Sequence, residues 1–211
     1  MNVLAPIDTK TRILDAAERI FSEDGFDAAS LRTITTAAGV NLAAVNYHFH
    51  SKEALFSAVV ARKATPINQR RIEMLESISG KLTAERILDA FLRPVTDRSE
   101  AEIGRFRPLM ARLHSAPADL HKRVIEENFA PTFNRFVDAL TVALPNASRD
   151  DLQLGMFFVV GAMAHAVAWE STIQSFMHKD DNLESFLTRL TSFAAAGMRS
   201  SAAASKRVNH Q

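Results

Sequence analysis

The 211-residue chain contains no cysteine. That excludes disulfides, thiolate zinc sites and cysteine nucleophiles, and it fits a reducing cytoplasm. An excess of basic charge is also missing, since 25 Lys and Arg stand against 24 Asp and Glu. The first fifty residues are slightly acidic, with four bases against six acids. If nucleic acid binds at that end, it is held by local placement of charge and not by a bulk field. Glycine and proline are sparse at seven each, they fall at segment ends, and β-branched alternating runs are few. Long apolar runs are missing too. The longest uncharged one, Leu154 to Trp169, is too short to span a bilayer comfortably and carries His165 and two glycines, so no membrane partner is expected. The opening MNVLAPIDTKTR lacks the continuous apolar stretch of a secretion signal. Catalytic signatures are missing as well. There is no Gly-x-Ser-x-Gly elbow, no phosphate-cradling glycine loop and no HExxH helix, and the seven histidines are scattered. No enzyme, cofactor or metal site is expected.

What is present reads as helix almost throughout, so the expected fold class is all-α. Asp8 or Thr9 starts a first helix whose inner stripe is Ile13, Leu14, Ala17, Ile20 and Phe21, stopped at Gly25. Ser30 caps a short second helix that ends at Gly39, and Asn41 caps a third that runs to Phe49. Ser51 caps a fourth, expected to continue through Pro66 to about residue 79. Beyond Gly80, helices are expected at 83–95, 99–115, 117–143, 148–172 and 183–199, with Pro131 dividing the third of these. The expected organisation is a helical domain at 1–55, a connecting helix at 56–80, a second helical domain at 81–199 and a disordered tail at 200–211.

Three short helices with a glycine at the sharp turn between the second and third make a helix-turn-helix. Ala37, Ala38 and Val40 are small or compact where two helices must approach closely, and Val45 should lock the third helix inward. The outward face of that helix carries Asn41, Leu42, Ala43, Ala44, Asn46, Tyr47 and His48. It is slim enough to lie in a major groove about 12 Å wide. Leu42, Ala43 and Ala44 can touch thymine methyls, and Asn46 suits either an adenine edge or a phosphate. Tyr47, His48 and Lys52 suit phosphates, and Arg32 and Thr33 open the second helix where they can clamp the backbone. Tyr47 also fits the role of a half-buried staple.

The stretch Ser30 to Phe56, SLRTITTAAGVNLAAVNYHFHSKEALF, resembles the DNA-binding segment of the TetR family of regulators. The AAGV turn, the YHF close and the following SKEAL carry the likeness. So do Ile13-Leu14-Asp15-Ala16-Ala17 and the Phe21…Gly25-Phe26 pair. Ala43-Ala44 departs from the family, where a glycine is frequent. The resemblance implies a homodimer, a palindromic operator in double-stranded DNA, a helical ligand domain and, more often than not, repression. The wording NLAAVNYHF…SKEAL with FAAAGMR near the end is similar to a subgroup with members responsive to long-chain fatty acids or acyl esters.

A helix that is apolar on nearly all sides, like the one around 152–170, must be covered twice, and an identical partner is the economical second cover. With the 183–199 segment it is expected to form the homodimer interface. His114, Asn128, His165 and Trp169 are the polar candidates to orient a small apolar effector, with Phe91, Met110, Phe129, Phe133 and Phe158 as its wall. Core or interface packing is the competing role for His165 and for the phenylalanines. Arg105 and Arg107 can meet an anion or simply face solvent. A lipid- or acyl-binding module without DNA activity is the rival function, and it leaves residues 30–56 unexplained.

Overall fold

In a computed structural model, residues 8–95, 108–113, 115–168 and 182–208 are described, with residues 201–208 as backbone only. The helices are α1 (Thr9–Ala28), α2 (Leu31–Ala38), α3 (Leu42–Phe49), α4 (Lys52–Glu76) and α5 (Ala84–Leu92), with a 3₁₀ turn at Arg93–Val95. Residues 108–113 are helical. They are followed by α6 (Ala118–Asn128), α7 (Ala130–Ala143), α8 (Arg149–Ala168) and α9 (Leu183–Val208). No strand occurs among the described residues. His114, Trp169, Arg105 and Arg107 lie outside them.

Helix starts follow from side chains that accept the orphan amides of a first turn. Asp8 accepts from the Thr11 amide at 2.9 Å, Ser30 from Thr33 at 3.0 Å, Asn41 from Ala44 at 2.9 Å and Ser51 from Ala54 at 3.0 Å. Ser148 accepts from the Asp151 amide at 3.1 Å while its hydroxyl meets the Asp151 carboxylate at 2.7 Å. Helix ends depart further from expectation. Gly25, with φ 82° and ψ 175°, kinks α1, and helical turns resume beyond it to Ala28. Pro131 sits in the first turn of α7, where its missing N–H costs nothing, and the chain breaks at Phe129. Within the tail expected at 200–211, helix is found as far as Val208, and residues 209–211 lie outside the described ones. α9 continues through Val208, as the alanine run from Ala202 to Ala204 favours.

The chain forms two compact units, Met1–Pro66 with Glu100–Asn128, and Ile67–Ser99 with Phe129–Gln211. The division therefore falls inside α4 and not at Gly80, because α4 runs through Pro66 without a break. In the first unit Ile13, Ala17, Phe21, Ile34, Val45, Leu55 and Phe56 are fully buried. Phe21 meets Phe56 edge-on at 5.0 Å and stacks on Phe26 at 6.1 Å. The 108–128 stretch closes this core with Leu109, Leu113 and Val124. Arg112 donates to the Glu23 carbonyl at 2.6 Å, and Ser57 donates to Glu127 at 2.7 Å. In the second unit α5, α7, α8 and α9 surround Ile87, Leu88, Phe136, Leu140, Leu152 and Met156. A Cβ on Gly155 would come within 2.9 Å of Met198, so the glycine lets α8 and α9 approach each other inside one chain.

Candidate nucleic-acid interface

The α2–α3 pair is fixed from behind. Gly39 adopts the left-handed conformation (φ 62°, ψ 40°) that ends α2. Arg12, from α1, donates to the carbonyls of Ala38 and Gly39 at 2.7 and 2.9 Å, placing a cation at the C-terminus of α2. No local sequence signal marks that role for Arg12, which lies 26 residues away from its first acceptor. Val45 and Phe49 are buried and hold α3 against the unit. After α3, His50 takes φ 66° and ψ −41°, a conformation costly for a side chain, and directs the chain into α4.

Of the residues expected to face DNA, Arg32, Thr33, Asn41, Leu42, Ala43, Asn46 and Tyr47 are exposed, and Ala44, His48 and Lys52 are half-buried. Tyr47 is 80% exposed, standing edge-on to the His48 ring at 5.0 Å, and is no half-buried staple. The Asn41 carbonyl oxygen is occupied by its cap bond, and the Thr33 hydroxyl lies 2.7 Å from that of Ser30. Lys52 turns toward α1, with its ammonium 4.4 Å from the Phe26 ring centre and donating to the Asp27 carbonyl at 3.4 Å. The face is slim, exposed and carries no acid.

Behind it, Glu18 on α1 receives Lys63 at 2.7 Å and also pairs with Arg62, which reaches Asp15 at 2.6 Å as well. Burial pushes the Glu18 carboxyl up, but the bonds from Lys63 and Arg62 outweigh it and hold it below its ordinary 4.5. The unfolded chain thus takes up the proton more readily than the folded one. This stabilisation is complete above the ordinary value and is lost as pH falls through the lower folded one. Thermal melts between pH 7 and pH 3 should show this loss, and Glu18→Gln should flatten the acid limb. An unchanged limb would show that Glu18 contributes nothing to it.

The expected effector residues are divided between the two units. Met110 and Asn128 belong to the first unit, the phenylalanines and His165 to the second. Asn128 donates to the Val124 carbonyl at 2.9 Å and the Ser57 hydroxyl at 3.2 Å. Phe91 is a core residue, 3% exposed and edge-on to Phe136 at 5.1 Å. Phe129 and Phe133 are half-buried, and Phe133 meets Phe157 at 5.3 Å. Phe158, expected in the wall, and His165, expected to orient the effector, are both exposed in the single chain. α8 packs through Leu152, Met156, Val159 and Ala166, which puts Phe158 and His165 on the opposite side of the helix. A cleft of ≈ 390 Å³ in the second unit is lined by Met74, Glu85, Asp89, Thr188 and Ser192 among others. Another of ≈ 340 Å³ in the first unit is lined by Ala54, Ser57, Ala58, Ala61, Arg123 and Glu127. Neither holds an expected effector residue. Among the described residues no cluster of three metal-ligating side chains occurs, and no helix is long and apolar enough to cross a membrane.

Comparison with known proteins agrees with this arrangement. Residues 13–59 match the family model for bacterial regulatory proteins of the tetR family. Residues 89–197, just over half the chain, match the tetracyclin repressor-like C-terminal domain. The HTH-type transcriptional regulator UidR of Escherichia coli strain K12 is 40% identical over 70 residues, 33% of this chain and 36% of that protein. The chain thus spans about a third of the length of this curated relative. The fatty acid degradation regulator FadR from Bacillus halodurans superposes with a TM-score of 0.69 at 17% identity, covering 94% of this chain and 99% of that one. FadR from Bacillus subtilis, solved in complex with stearoyl-CoA, gives 0.69 at 18% identity over 88% and 97%. These likenesses are of fold, and the two family models together carry the assignment: the chain belongs to the TetR family of bacterial regulatory proteins.

Proposed function

We propose that the chain is a homodimeric, cytoplasmic repressor that occupies a palindromic operator and leaves it when a small apolar effector binds. The observation that carries the reading is the α3 face, exposed at Asn41, Leu42, Ala43, Asn46 and Tyr47 and backed by the buried Val45 and Phe49. Leu42, Ala43 and Ala44 would lie against base edges, with Asn46 reading one. Arg32, Thr33, Tyr47, His48 and Lys52 would hold phosphates, Lys52 after swinging off Phe26. The dimer would form through α8 and α9, doubling a weak half-site contact. The effector would act by favouring a dimer with wrongly spaced recognition helices, through α4, which belongs to both units. That coupling is limited by the effector's differential affinity for the two states. The acyl ligand of Bacillus subtilis FadR supports an acyl class of effector. The chain would carry out no reaction of its own.

The test is retention of sheared genomic DNA, sequenced, at two salt concentrations, by the native protein and by Tyr47→Ala/Lys52→Ala. Recovery of short palindromes with the native protein, and their loss in the double variant, is the expected result. Sequence-blind, salt-sensitive recovery, or none, would overturn the operator reading and favour an acyl-binding module without DNA activity.

A further inference from the structure

Arg71, on α4, is 5% exposed, the most deeply buried cation among the described residues. Its Nε donates to the Phe91 carbonyl at 2.8 Å and Nη1 to Asn68 Oδ1 at 3.2 Å. Nη2 points at the Met163 sulfur at 3.6 Å, and the guanidinium lies over the Phe91 ring at 3.9 Å. No carboxylate pairs with it among the described residues. Burial lowers its pKa to about 9, so it is still a cation at neutral pH.

We propose that Arg71 anchors a carboxylate on the small molecule bound by the second unit. This rests on the effector-binding reading above and gives that effector a chemical class, an apolar body with one anionic end. Capping the last turn of α5 at the Phe91 carbonyl needs one donor, whereas a guanidinium brings five N–H groups and a full charge. The carbonyl, the Asn68 amide oxygen, the thioether and the ring are all uncharged partners, and a buried charge is best compensated by an anion. A thioether is a weak acceptor, and a carboxylate takes two parallel N–H bonds from the same fork. Met163 is unbranched and flexible, so it can yield that place. Among the described residues no other cation acts on Arg71, which favours a monoanion over a phosphate. Phe91 and Met163 supply the apolar surroundings that the rest of the ligand would share.

Calorimetry on the full chain tests this with two matched pairs, octanoate against 1-octanol and 4-phenylbutyrate against 4-phenyl-1-butanol. The native protein should prefer the carboxylate of at least one pair by about 30-fold, the range of a bidentate charged hydrogen bond. Arg71→Met, which keeps the volume and drops the charge, should bring that ratio to within about threefold. Arg71→Lys should fall between, and it also serves if Arg71→Met does not fold. No preference in either pair, or a preference that survives in the Arg71 variants, overturns the proposal. The measurement contains no DNA, so it reads Arg71 whether or not an operator is found. If an operator is found and carboxylates are not preferred, the regulator reading stands alone.

Discussion

Phe158→Asp is expected to turn the proposed dimer into a monomer and to weaken retention of its proposed operator by about 100-fold, the scale lost when two linked contacts become one. Phe158 is 67% exposed in the single chain, beside Phe157 at 65% and Leu154 at 53% on the same side of α8, and Phe193 on α9 is 79% exposed. Large apolar side chains gathered on one face mark an interaction surface. Each phenylalanine covered by a partner contributes roughly 1.5–3 kcal/mol, and in a two-fold interface every residue counts twice. An aspartate there must be desolvated without a counter-ion or be left out of the contact. Sedimentation equilibrium reads the outcome directly. A dimer mass in the variant would place the interface elsewhere, and its thermal melt should no longer depend on protein concentration, whereas the native melt should rise with it.

Phe21→Ala acts through the core instead and should cost about 3–5 kcal/mol in urea unfolding, as deletion of a buried ring does. Phe21 is fully buried and touches both Phe26 and Phe56, so it joins α1 to the start of α4 around the helix-turn-helix. Against a typical domain stability of about 5–15 kcal/mol, such a loss leaves the recognition helix without firm support. DNA retention should then fail together with folding. A cost under about 1 kcal/mol would mean that the site collapses around the missing ring. Tyr47→Ala makes the contrast, because an 80% exposed ring can be removed with little change in stability while the contact face changes.

The first half of the fold is legible in sequence because its signals are local. Asp8, Ser30, Asn41 and Ser51 each satisfy an amide three residues on, and Gly39 takes the backbone angles that residue type favours. The outward face of α3 is legible for the same reason, since eight helical residues with Val45 and Phe49 inward leave one such face. The inward side of α8 is not legible. α8 is apolar all round, so composition cannot say which side meets the core, and Phe158 and His165 fall on the outer one. Phe91 is as apolar as any pocket wall, and only packing from α7 shows it to be core. Arg71 is hidden for a nonlocal reason. Its partners Phe91 and Met163 are 20 and 92 residues away, and nothing near it in sequence distinguishes it from a surface arginine such as Arg70.

The closing of the first unit by residues 108–128 bears on how such a protein can be cut and joined. The helix-turn-helix is not a cassette that ends where α4 leaves it. Leu109, Leu113 and Val124 are part of its interior, and Arg112 and Glu127 hold its backbone and Ser57 from a stretch that comes later in the chain. A chimera spliced at Pro66 would carry its DNA-reading surface intact and leave a hydrophobic wall uncovered. The recombinable part is instead a pair of segments, and a donor of new operator specificity must bring both, or bring only the α3 surface itself.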